Sequence, residues 1–277
     1  MTIKKIMIAS DLSERSDRAL RRGLTLAAEL DSEVTLVSVV DDAFPAHIAE
    51  DLLTKCRNHL ASVATYGEGR SCDVQVEIGD PTQRLVEMVT DGRFDLVVVG
   101  RHRHRGLLDQ WRPTTVERVV AHALTPVLLV VTPGEGPYQR VLAPVAFSRA
   151  CRRSVDTAFE IAPDAEFHLF YAWMAPFEGL TGGRHSDMAR AVERETRNLS
   201  AAWSALGTAD LPPVELVHGG VRNALDGQSR KWSPDLIAVG AHARSLSFTG
   251  LGSFAAEMVR DPGVDLLIAG ATEAAGD

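Results

Sequence analysis

Short apolar runs alternate with longer amphipathic stretches along the first half of the chain. Ile6–Ala9, Val34–Val40, Val74–Ile78, Leu96–Val99 and Val127–Val131 are nearly continuous in Val, Ile and Leu. Runs of this kind predict strands of a parallel sheet covered on both faces, although a run so short is also compatible with buried helix. Between them, Glu14–Leu30 sets Leu20, Leu24 and Ala27 on one helical face, with Ser13 as N-cap. Ala46–Tyr66, Thr82–Asp91 and Thr114–Ala123 predict further helices. The order β-α-β-α-β-α-β-α-β predicts a doubly wound α/β domain, because parallel strands need crossovers and right-handed helical ones dominate. Ligands of such sheets sit beyond the carboxyl ends of the strands near the switch point. That directs attention to Asp11, Val39 and the loop that starts at Gly100.

The pattern then repeats. Lys5-Ile6-Met7-Ile8-Ala9-Ser10-Asp11-Leu12-Ser13 returns in outline as Arg140-Val141-Leu142-Ala143-Pro144-Val145-Ala146-Phe147-Ser148, an offset of 135. Asp95-Leu96-Val97-Val98-Val99-Gly100 returns as Asp235-Leu236-Ile237-Ala238-Val239-Gly240 at 140, and Pro126-Val127-Leu128-Leu129-Val130 as Asp265-Leu266-Leu267-Ile268-Ala269 at 139. Three matches at nearly one offset predict a duplicated domain. The seam is Thr132-Pro133-Gly134-Glu135-Gly136-Pro137, where neither a helix nor a central strand can continue. Domains of 1–133 and 138–277 follow, and a split before Tyr138 leaves a charge of −4 on each side.

Composition narrows the function classes. A chain of 277 residues with a formal charge of −8 offers no global footprint for nucleic acid or an anionic membrane. No apolar run approaches the roughly 18 residues of a membrane span. The start, MTIKKIMIASD, lacks the apolar core of a secretory signal, so the expected location is the cytoplasm. Cys56, Cys72 and Cys151 form no C-x-x-C pair and predict neither a disulfide framework nor a metal site. Enzyme signatures such as G-x-S-x-G, H-E-x-x-H and G-x-x-x-x-G-K-[ST] are missing, so no catalytic residue is nominated.

Ala9-Ser10-Asp11-Leu12-Ser13, Ala19-Leu20, the Gly79-Asp80-Pro81 turn, Asp95-Leu96-Val97-Val98-Val99-Gly100, and Glu117-Arg118-Val119 leading to Thr125-Pro126-Val127 occur in an order and spacing that resembles the universal stress protein family in tandem two-domain form. The resemblance implies two five-stranded, adenine nucleotide α-hydrolase-like sandwiches in a pseudo-twofold pair, joined through their fifth strands. It also implies ATP or ADP as ligand, with Mg²⁺ an option. In nucleotide-binding members an Asp follows strand one, a Val follows strand two, and the phosphate loop reads G-x₂-G-x₉-G-[ST].

Here Asp11, Val39 and Gly100 fill the first positions and Thr114 keeps the hydroxyl, but Arg103 and Pro113 replace the second and third glycines. The loop instead reads Arg101-His102-Arg103-His104-Arg105. Its guanidinium groups could replace backbone donors toward phosphate, or the loop could be a solvated contact to a neighbouring domain. The candidate nucleotide set is therefore Asp11, Val39, Gly100, Arg103 and Thr114. The second copy departs further. Ala146 stands at the Asp position, Tyr171 is assigned to the Val position and Ala243 to the second glycine, so it is expected to be degenerate. Gly240, Gly252 and Ser253 leave a weaker candidate anion turn there. The expected function is a stress-response modulator that binds a nucleotide in its first domain. The alternatives are an interaction protein without a nucleotide site, joined by an unidentified partner or a second copy, and a slow ATPase.

Overall fold

The computed structural model describes residues 2–65, 72–91, 93–101, 114–134, 136–174, 185–207, 210–241 and 252–270. The first half runs β1 (Lys5–Ala9), α1 (Glu14–Leu30), β2 (Glu33–Val40), α2 (Ala46–Thr65), β3 (Cys72–Ile78), α3 (Pro81–Thr90), β4 (Leu96–Gly100), α4 (Thr115–His122) and β5 (Val127–Val130). The second repeats it as β6 (Arg140–Pro144), α5 (Arg149–Ile161), β7 (Glu166–Trp173), α6 (His185–Ser204), β8 (Val214–His218), α7 (Val221–Trp232), β9 (Leu236–Ala241), α8 (Ser253–Arg260) and β10 (Asp265–Gly270). Local signals explain the helix starts. Ser13 accepts from Ser16 N to cap α1, and Asp80 accepts from Gln83 N to cap α3, whose first residue is Pro81.

The strands form one sheet in the order β3-β2-β1-β4-β5-β10-β9-β6-β7-β8. Pairing is parallel within each half. It is antiparallel between β5 and β10, where Leu129 faces Leu266, Leu128 faces Leu267 and Val127 faces Ile268. A twofold axis relating two equivalent strands produces this arrangement, and it closes two apolar edges that would otherwise invite pairing with other chains. The two expected five-stranded sheets are thus fused at their fifth strands.

Alternation along each strand feeds two core layers. Ile6 and Ile8 pack with Leu20 and Leu26 of α1, whereas Met7 and Ala9 point to the other face with Val119 and Val120 of α4. Among the described residues no helix is long and apolar enough to cross a membrane.

The seam between the halves is pinned by a buried charged pair. Arg22 of α1 donates through Nη2 to Gly134 O at 2.7 Å and through Nη1 to Gly136 O at 2.5 Å, and its guanidinium lies 4.3 Å from the centre of the Tyr138 ring. Asp265, fully buried at the start of β10, accepts from Val131 N at 2.8 Å, Thr132 N at 2.9 Å and the Tyr138 hydroxyl at 2.7 Å. One side chain from each half therefore holds the Pro/Gly stretch.

Candidate functional site

The turn after β1 is built by short polar side chains. Ser10 N donates to Val37 O at 2.9 Å, and Ser10 Oγ accepts from Leu12 N at 3.1 Å. Leu12 is held left-handed at φ 57°, and Ser13 N donates to Asp11 Oδ1 at 3.0 Å. A branched side chain at positive φ costs of order 1 kcal/mol, so this turn is over-determined by its surroundings. The second copy stores the same strain at Phe147, φ 54°. Duplication has therefore kept the turn while changing its side chains.

Asp11 sits at the mouth of a cavity of about 420 Å³ beyond the carboxyl ends of β1, β2 and β4. Ser10, Val39, Gly100, Arg101 and Thr115 line it as well. Its apolar wall comes from Val37, Leu85 and Val119, and Asp41 lies at its edge. The volume falls within the range of small-molecule sites, and the mix of apolar wall with a few polar groups matches their usual chemistry.

Gly100 has a packing reason to be glycine. A Cβ there would lie 2.9 Å from Arg15 O and 3.0 Å from Ser16 Cα, so the end of β4 can approach the first turn of α1 only without a side chain. Gly240 faces the corresponding backbone of Ala150 and Cys151. Glycine at these positions is thus required by strand-helix contact, independently of any phosphate.

Thr114 is the N-cap of α4. It accepts from Glu117 N through Oγ1 at 3.2 Å, while its own N–H donates to Glu117 Oε2 at 2.7 Å. This reciprocal box leaves Thr115, not Thr114, on the cavity wall. The sequence reading missed Thr115 because two adjacent threonines carry equal hydroxyl signals and only the helix start separates cap from first turn.

Arg101 is the described member of the Arg/His run. It lines the cavity, and among the described residues its buried Nε has no hydrogen-bond partner. A guanidinium on the cavity wall suits an anionic ligand group. Arg103, with the rest of 102–113, lies outside the described residues, as does Ala243.

In the second copy the strand register corrects one assignment. Ser10 N bonds Val37 O as Val145 N bonds Phe170 O, which makes Ala172 the counterpart of Val39 and Tyr171 the counterpart of Ser38. A slip of one residue moves a side chain to the other face of the sheet. Tyr171 accordingly joins the layer under α5, while Val39 and Ala172 share the opposite layer. There Tyr171 lies 5.2 Å from the Phe147 ring, which meets Trp203 edge-on at 5.9 Å. Trp203 is buried and donates from Nε1 to Ser148 O at 2.8 Å. These three rings pack together beside the turn that carries Ala146, on the face of the sheet under α5. Gly240 lies within the fully buried β9, Gly252 caps α8 without a side-chain bond, and Ser253 begins that helix.

The sequence profile of the universal stress protein family matches residues 2–131 and again residues 137–270. A universal stress protein of Methanocaldococcus jannaschii is 31% identical over 141 residues, covering 47% of this chain and 83% of the relative. One from Synechocystis is 23% identical over 148 residues, covering 46% of this chain and 96% of the relative. The crystal structure of a universal stress protein from Archaeoglobus fulgidus superposes with a TM-score of 0.70 at 18% identity, covering 96% of each chain. Two successive profile matches, joined by a pseudo-twofold sheet of the same architecture, show that the chain belongs to the universal stress protein family as a tandem of two family domains.

Proposed function

We propose that the first domain binds an adenine nucleotide, ATP or ADP, and that occupancy of this site modulates the stress response in the cytoplasm. The observation that carries this reading is the cavity that brings Asp11, Val39, Gly100 and Arg101 together beyond β1, β2 and β4. In this reading Val39 packs on the base, Asp11 accepts from the adenine amine or a ribose hydroxyl, and Arg101 meets the phosphates. Arg103 and the Thr114 region complete the phosphate end. Mg²⁺ would arrive on the phosphates, since among the described residues no group of three His, Cys, Asp or Glu is placed to cage it. The three free cysteines suit a reducing compartment. The second domain, taken as 138–277, acts as packing partner, because Ala146 replaces the aspartate at its turn and β10 pairs with β5 across the join.

Titration calorimetry of the full chain with ATP and with ADP, with and without Mg²⁺, tests the proposal. Saturable heat that disappears in Asp11→Ala supports it. A second reading, a ligand-independent interaction protein, draws on Glu117, whose buried carboxylate already occupies the α4 N-terminus where a phosphate would dock. Absence of heat together with an unshifted melting temperature in excess nucleotide would favour that reading.

A further inference from the structure

Two ion pairs cross from the second domain to the first, one to Arg101 and one to Glu117. Arg101, just beyond β4, places Nη2 3.2 Å from Asp261 Oδ1. Arg260 donates from Nε to Glu117 Oε1 at 2.6 Å. Arg260 is the last residue of α8 and Asp261 is its C-cap, so consecutive residues of one helix end make both contacts.

The two pairs differ in environment and in charge. The Glu117 carboxylate is only 1% exposed and closes the box on Thr114, so Arg260 neutralises a buried anion at the start of the helix whose first residues line the cavity. Left unpaired, that anion would oppose phosphate at the same helix end, where the backbone dipole otherwise attracts negative charge. Asp261 acts in the opposite sense. It is largely exposed and draws the Arg101 guanidinium toward the second domain, so it competes with any anion in the cavity.

The arrangement is one-sided. α4 buries Val116, Glu117, Val119 and Val120 where α8 buries Ala255, Ala256, Met258 and Val259, so an alanine stands at the counterpart of Glu117. The crossing pairs are therefore not a by-product of the twofold axis.

We propose that Arg260 and Asp261 are positioning residues through which the second domain sets the phosphate affinity of the first domain's site, Arg260 raising it and Asp261 lowering it. This rests on the nucleotide reading above. Because coupling between sites is reciprocal, nucleotide binding in turn shifts the contact between α4 and α8.

The test is calorimetry of the full chain with ATP and with adenosine, which lacks the phosphates. Arg260→Met weakens ATP about tenfold, Arg260→Lys stays within about threefold of the parent, and Asp261→Asn tightens ATP by about two- to fivefold, as an exposed competing pair allows. Adenosine affinity stays within about twofold throughout, since the effect acts on phosphate charge. Equal ATP affinity across the set, or adenosine moving as far as ATP, overturns the proposal. If the parent chain binds neither ligand, the nucleotide reading itself fails. Hydrogen exchange of the ligand-free chain then judges whether Arg260 positions α4. Amides of Thr114–Val120 exchange about tenfold faster in Arg260→Met but not in Arg260→Lys, while α7 is unchanged. Unchanged exchange over Thr114–Val120 in Arg260→Met would refute the positioning role.

Discussion

Asp265→Ala is expected to destabilise the chain more than any exposed substitution, because of what it orphans. The carboxylate accepts from Val131 N, Thr132 N, Thr132 Oγ1 and the Tyr138 hydroxyl, and Arg22 Nε lies 3.9 Å from Oδ2 with its side chain 4% exposed. Removing one member of a buried pair leaves the other charge uncompensated, which costs about 3–5 kcal/mol. Each buried donor without a partner adds a share of the same loss rather than an independent sum. At about 2–4 °C per kcal/mol for a chain of this size, the melting temperature falls by roughly 10 °C. Urea unfolding followed by circular dichroism measures it, and Arg22→Met alone and combined with Asp265→Ala completes a cycle. The pair predicts a coupling of about 2 kcal/mol, with the double variant better than the sum of the singles. A loss under about 1 kcal/mol for Asp265→Ala, or strict additivity, would show that solvent reaches the seam and refute the reasoning.

Three further outcomes follow from single contacts. Burial first, and then the neighbouring Asp265 carboxylate, push the Tyr138 phenol well above the ordinary tyrosine value of 10.0. A raised folded value means the contribution is fully present below the unfolded pKa and is lost as pH rises beyond it, so the urea midpoint drops above about pH 10 and Tyr138→Phe reduces that drop. Gly100→Ala places a methyl against Arg15 O and Ser16 Cα and is expected to cost about 1–3 kcal/mol in urea unfolding, whether or not nucleotide is present. Trp203→Ala removes a buried indole and is expected to cost about 3–5 kcal/mol, while ATP binding measured calorimetrically below the melting transition stays that of the parent.

The fold was legible in the sequence because its signals are repeated and local. Val- and Ile-rich runs fixed the strands, Ser13 gave a helix start, and the matching offsets marked the duplication. The join through the fifth strands came from the family resemblance, with which their apolar sequences agree, and its antiparallel register comes from the structure. The site was less legible, for reasons that depend on register and contact rather than composition. Tyr171 was set one position off because the whole connection from β6 to β7 is two residues shorter than that from β1 to β2, its shorter helix outweighing a longer loop, and in a strand one residue decides the face. Gly100 was read through phosphate binding, whereas its nearest neighbours are the backbone of α1. Thr114 and Thr115 could not be told apart without the helix start. The Glu117 and Arg260 pair had no sequence signal, since 143 residues separate them and the Glu117-Arg118-Val119 match carries no hint of a partner.

The two copies have diverged in complementary directions, which bears on what the second one contributes. In the first, the turn after β1 keeps Asp11 and opens on a cavity. In the second, the same strained turn carries Phe147, which packs with Tyr171 and Trp203. That cluster ties the second turn to α6, since Trp203 donates from Nε1 to Ser148 O. The helix end that the second domain presents across the axis is a support. A support of this kind affects the open site only through charges that reach it, and Arg260 and Asp261 are the residues that do. Substituting Trp203 should loosen the second domain without altering those charges, whereas substituting Arg260 should alter the charges without loosening it. The contrast between these two variants, read in stability and in ATP affinity, separates mechanical support from electrostatic control.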